Sequence, residues 1–176
     1  MGAHAGSRLI GNNIYVPPYT SGLYGRRYSG YFADNVNWFA TATLSGTSKV
    51  YTNINSNWTE GGDNFSIEWL GYFKPNSTGT WTFSTNSDDA SYIWIGPTAI
   101  SGFTTSNPVV NNGGAHAPRV RSGTISLNSG EYYSIRIQFG EATGGEVMSV
   151  NFTPPGGSST NDGTNFYFFN TATNGL

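Results

Sequence analysis

The stretch FSIEWLGYFKPNSTGTWTFS, residues 65–84, decides the fold. Its first nine residues alternate, with Phe65, Ile67, Trp69, Gly71 and Phe73 on one face and Ser66, Glu68, Leu70 and Tyr72 on the other. Period two marks extended chain, because successive side chains of a strand point to opposite faces. Lys74–Gly79 then supplies turn chemistry in Pro75 and Gly79. Beyond it Trp81 and Phe83 point inward between Thr80, Thr82 and Ser84. This is the grammar of an antiparallel sheet with one apolar face.

The same pattern extends in both directions. GLYGRRYSGYF, residues 22–32, is an early strand candidate, and Ser91–Ile95 is a short strand closed by Gly96 and Pro97. Ser122–Leu127 offers Ile125 and Leu127 to the core, and Tyr133, Ile135, Ile137 and Phe139 share one face of the next strand. Met148, Val150 and Phe152 return after a Gly-rich loop, and Asn165–Asn170 is a last strand candidate. Ser106–Pro118 and Ser159–Asn165 read as long loops. No window gathers helix formers with a 3.6-residue period. The expectation is an all-β antiparallel sandwich with long end loops and little or no helix. Residues 1–20 are expected to be an N-terminal extension and 21–176 a single domain.

Composition supports this class and excludes others. The 176 residues include 24 Gly, are 15% aromatic and only 10% charged, against roughly a quarter charged in an average soluble domain. Aromatic and β-branched residues suit a half-buried pleated surface. A net charge of −2 and the lack of any basic stripe argue against nucleic acid. No apolar run approaches the ~20 residues that span a bilayer. The opening MGAHAGSRLIG has neither a charged n-region nor an apolar h-region, so it does not read as a signal peptide. With no cysteine there is no disulfide and no thiolate zinc site.

In so uncharged a chain the adjacent acids Asp88 and Asp89 stand out. They make either a turn, where Asp bonds nearby backbone N–H groups, or a site for a hard cation. Calcium takes 6–8 oxygen ligands. Neighbouring side chains of extended chain point apart, so two adjacent carboxylates facing one ion require an unusual backbone, such as a cis peptide. The loop Phe139–Ser149 carries Glu141, Gly144, Gly145 and Glu146, which could add oxygen ligands or form a solvated hairpin. Glycoside hydrolysis needs two carboxylates about 5–9 Å apart. Asp34, Glu60, Asp63 and Glu68 are available, but none has a distinguished setting. His4 and His116, the two histidines, support neither a triad nor a His-based metal site. No catalysis is expected.

Taken together, Gly22–Phe32, Phe65–Gly96 and Ser122–Phe152 resemble the domain family named after the N-terminal part of anthrax protective antigen, the PA-fourteen fold. The matching features are the Gly-Leu-x-Gly start, the hairpin through TGTWTF, the Ser-Asp-Asp and the strand L-x-x-G-x-x-Y-x-I-R-I before a Gly-rich loop. The resemblance implies a β-sandwich of the adhesin and flocculin kind. In its sugar-binding members an adjacent aspartate pair, cis-linked, holds Ca2+, and two vicinal sugar hydroxyls bind that ion. Carried over, Asp88 and Asp89 are the pair. Glu141, Thr143, Gly144 and Gly145 are the second-loop metal ligands, and Asp88, Asp89, Thr143 and Glu146 face the glycan. PTAISG, after Gly96, departs from the acidic or Asn residue many members carry there. The implied partner is a glycan, glycoprotein or polysaccharide surface, and the implied location is extracellular, on a cell or virion surface. The alternative is a structural part of an adhesin or phage virion with no sugar ligand, since YYSIRIQFGEATGGEVMSVNFTPP also resembles marine phage structural proteins.

Overall fold

The computed structural model describes residues 19–55 and 62–176. Residues 1–18 of the expected extension and Glu60 lie outside the described residues. β1 (Tyr19–Ser21) already begins within the stretch assigned to the extension and pairs with a late strand, Tyr19 opposite Asn170.

The remaining strands are β2 (Leu23–Ser29), β3 (Lys49–Tyr51), β4 (Phe65–Phe73), β5 (Gly79–Asp88), β6 (Ser91–Ile95), β7 (Val110–Asn112), β8 (Arg119–Leu127), β9 (Tyr133–Glu141), β10 (Val147–Thr153) and β11 (Tyr167–Asn170). All pairings are antiparallel. The large sheet runs β1-β11-β4-β9-β6-β7, with β2 sharing the edge of β4 and carrying β3; the small sheet runs β10-β5-β8. Among the described residues, helix is confined to a 3-10 turn at Trp38–Ala40 and one short turn, α1 (Pro97–Ile100). The nearly all-β sandwich is as expected.

Two expectations about connectivity are corrected. The strands flanking KPNSTG do not form a hairpin: β4 belongs to the large sheet and β5 to the small one. The strong alternation of both strands is what permits this, since each turns one apolar face toward the space between the layers. The stretch Ser106–Pro118 is not all loop, because Val110–Asn112 pairs with β6. A three-residue edge strand is too short to show a period.

Between the sheets lies the main core, which includes Trp69, Phe73, Trp81, Phe83, Ile93, Ile137, Phe139, Val150 and Phe152. Phe73 is its centre: Trp81, Phe83 and Phe152 approach it edge to face at 5.0–5.2 Å, the arrangement that ring quadrupoles favour. A second apolar cluster, Tyr28, Phe32, Val36, Phe39, Tyr92 and Trp94 with Ala90 and Ala99, covers the outer face of the large sheet. It explains why the polar face of β9 is buried too. Gln138 donates to Glu68 and to the Val36 carbonyl, and Arg136 pairs with Glu68 and donates to the Ala99 carbonyl.

Candidate functional site

Three times the chain leaves one sheet for the other at the same end of the sandwich. β5 passes to β6 through Asp88–Ala90, β7 to β8 through residues 113–118, and β9 to β10 through residues 142–146. Strand register forces the three crossings together. Val147 pairs with Asp88 and Arg119 with Ser87 in the small sheet, while Ser91 pairs with both Asn112 and Phe139 in the large one. Whatever the loops contain, these pairings leave their backbones adjacent.

The Asp88–Asp89 peptide is cis. Carboxylate oxygens of Asp88, Asp89 and Glu141 lie within 4.8 Å of one another, the one such acidic group among the described residues. Asp89 is the hub of the crossings: Oδ1 accepts the His116 N–H at 2.8 Å and Oδ2 accepts the Ala142 N–H at 2.9 Å. One carboxylate therefore ties both other crossover loops to its own. Asp88 stands half-exposed at the mouth.

Glu141 is the anomaly. It ends β9 opposite Phe65 of β4, is closed from solvent, and neither carboxylate oxygen has a hydrogen-bond partner. A buried carboxylate without donors is costly. Burial, then Asp89, Asp88, Glu146 and Asp63, push its pKa from the ordinary 4.5 up to about 7. Burial and Asp89 also raise Asp88, against the lowering effect of His116. Three carboxylates converge here with no side-chain cation from the described residues among them, so the cluster has the oxygen donors and the negative charge to hold a hard cation.

The other expected site residues fall around this group. Thr143, Gly144 and Gly145 form the exposed crown of the β9–β10 loop, with Gly144 at φ +114° and its N–H donated to Asp63 Oδ1 at 3.0 Å. Glu146 is half-buried and acts on Glu141 through its charge, outside the 4.8 Å group. PTAISG sits elsewhere: Gly96 N–H bonds the Ser134 carbonyl, at the end of β9 remote from Glu141.

Several contributors were not singled out from sequence. Asp63 pins Gly144. Asp34 accepts the Tyr92 hydroxyl at 2.9 Å and the Gly114 N–H at 3.0 Å. Tyr31, whose N–H bonds Asn64 Oδ1, is half-buried, and its hydroxyl is pushed up to about 12 by burial and by Asp34, Asp89 and Glu141. Asn64 in turn donates its N–H to the Ala142 carbonyl. His116 enters through its backbone, which no search for histidine ligands would reveal. Asn112 has its only sequence signal in its spacing from Val110, two residues back.

The model of the GLEYA domain matches residues 65–154, about half of the chain, including β4 through β10. Flocculation protein FLO10 of Saccharomyces cerevisiae is 28% identical over 60% of this chain and 10% of its own length. Flocculation protein FLO1 of the same yeast is 25% identical over 60% of this chain and 8% of its own length. The chain thus spans about a tenth of these curated relatives. Among solved structures, the Epithelial Adhesin 6 A domain of Candida glabrata, in complex with Galb1-3GlcNAc, superposes with a TM-score of 0.68 at 19% identity over 89% of each chain. The PA14 sugar-binding domain from an RTX adhesin gives 0.68 at 16% identity over 85% of this chain and 99% of its own. These structural likenesses show a shared PA14-like fold.

Proposed function

The chain belongs to the GLEYA domain family, and from that premise we propose that it is a calcium-dependent carbohydrate-binding module that attaches its bearer to glycans. The flocculins and adhesins it resembles are binding proteins rather than enzymes, and no catalytic role is assigned. One observation carries the reading. Glu141 has both oxygens buried and unpartnered, in the same cluster as Asp88 and Asp89. An all-oxygen set with three negative charges suits Ca2+, whereas a softer ion would call for His or Cys.

Asp88, Asp89 and Glu141 would hold the ion, with backbone oxygens of Thr143–Gly145 as the nearest further candidates. When bound, calcium supplies open coordination positions that vicinal sugar hydroxyls fill. The protein's own part is to orient and to exclude. Asp89 keeps the three loops in place through its two N–H contacts. Glu146, the Thr143 crown and Tyr31 would line the approach, since the charge of Glu146 and the hydroxyl of Tyr31 both feel this cluster and Thr143 is exposed beside it, and an aromatic ring suits the C–H face of a pyranose. A cell-surface location, as in the flocculins and adhesins, fits this role.

The test is a melting curve with and without chelator, followed by a glycan array. A ligand bound only to the folded state stabilises it by about 2.7 kcal/mol at a hundred times its Kd. Calcium should therefore raise Tm by several degrees, and neutral glycans should bind in calcium but not in EDTA. Identical melting in both buffers, with a silent array, would leave only a structural role.

A further inference from the structure

Behind the aspartates, between the two sheets, lies a closed hydrogen-bond network that takes in none of the ligand residues named above. Ser87 and Ser91 flank the Asp88–Ala90 crossing, and their hydroxyls meet across it at 2.7 Å. Ser91 Oγ also donates to Thr85 Oγ1 at 2.9 Å. Into this clamp reaches Asn112 from β7. Its amide Nδ2 donates to Ser87 Oγ at 2.9 Å and to the Arg119 carbonyl at 2.8 Å, with a longer contact to Thr85 Oγ1 at 3.3 Å. Its Oδ1 accepts from Arg119 Nε at 2.9 Å. Thr85, Ser87, Ser91 and Asn112 are all buried, at 0–1% exposure.

The network runs on to the site. Arg119 Nη2 donates to the Gly113 carbonyl at 2.8 Å, and the His116 ring meets the Asn112 carbonyl through Nε2 at 3.1 Å. These two contacts set the 113–118 loop from both sides, and that loop delivers the His116 N–H to Asp89 Oδ1. We propose that Asn112 is a positioning residue for the cation site: it locks the Asp88–Ala90 crossing to the 113–118 crossing and so fixes where the Asp89 carboxylate stands. Asn fits this place because its amide brings two donor hydrogens and an acceptor oxygen at once, whereas a hydroxyl has one donor and an ionised carboxylate none. A fully satisfied buried polar network specifies one arrangement of the elements it joins. Groups behind metal ligands commonly change affinity about 10- to 100-fold when removed.

This inference rests on the calcium reading, and the experiment separates the two. Calcium affinity is measured by titration calorimetry, and Tm is recorded in EDTA and in saturating calcium, for the wild type, Asn112→Ala and Arg119→Lys. The expected result is calcium binding about tenfold weaker or worse in each variant that folds, with a smaller calcium-induced rise in Tm. A merely structural role would lower both melting temperatures together and leave the affinity alone. Arg119→Lys keeps the charge and loses the fork to Asn112 and Gly113, so it decides the matter should Asn112→Ala not fold. Affinities within threefold of wild type in the folded variants overturn the inference while the calcium reading stands. No calcium binding by the wild type overturns both.

Discussion

Glu141 makes two opposite-signed predictions. In the metal-free protein its carboxyl sits at about 7, well above the ordinary 4.5. The unfolded chain therefore releases this proton first as pH rises, and the folded state binds more protons between those values. Folding stability in EDTA should fall across pH 4.5 to 7, by about 2–3 kcal/mol at the outside; a flat profile in chemical denaturation would refute the assignment. Glu141→Gln removes the buried charge without changing the shape. It should raise Tm in EDTA at pH 8 and at the same time abolish the stabilisation by calcium. A variant that lost stability in both buffers would show Glu141 to be an ordinary packing residue. The aspartate pair was legible in the sequence as either a turn or a site, and residue type could not choose between them. What favours the site over the turn is the buried, unpartnered Glu141, far along the chain from the pair, whose surroundings no local pattern encodes.

Among the elements, β4 and β5 were readable because Phe65–Phe73 and Trp81–Phe83 alternate without a break, and burial enforces that register. Their assignment to different sheets was not readable, since alternation reports a buried face and not which partner covers it. Phe73→Ala should cost about 3–5 kcal/mol in urea denaturation, because five rings pack around it and cannot all close the gap. A loss under 1 kcal/mol would mean the layers slide together readily. The edge of β8 offers a second check. A Cβ on Gly123 would stand 1.7 Å from the Val109 carbonyl oxygen, a backbone atom that cannot rotate away. Gly123→Ala should push β7 from β8 and lower Tm by several degrees, roughly the effect of 1–3 kcal/mol of overpacking. The polar residues of β9, Arg136 and Gln138, mislead in the sequence because a layer from residues 31–42 and 97–103 covers them. That layer arrives from two distant loops.

Across the whole molecule the acidic residues are unevenly placed. Of ten in the chain, Asp34, Asp63, Asp88, Asp89, Glu141 and Glu146 act on this one end, as the shifts of Glu141 and Tyr31 attest. A divalent cation would neutralise only two of those charges. The end should remain negative with calcium bound, opposed by the single guanidinium of Arg119, and like charge across an interface lowers both association rate and affinity. Neutral glycans should therefore bind better than their sialylated or sulfated counterparts on the same array, with the gap narrowing as salt rises. Equal binding at low salt would show that the field does not reach the ligand.

The three crossings also have a mechanical meaning. A tether gripped where the chain passes repeatedly from one layer to the other loads both layers side by side, through several covalent paths, rather than peeling a single edge strand. A pull applied at that end would enter both layers at once through three covalent paths, so the load would be shared side by side.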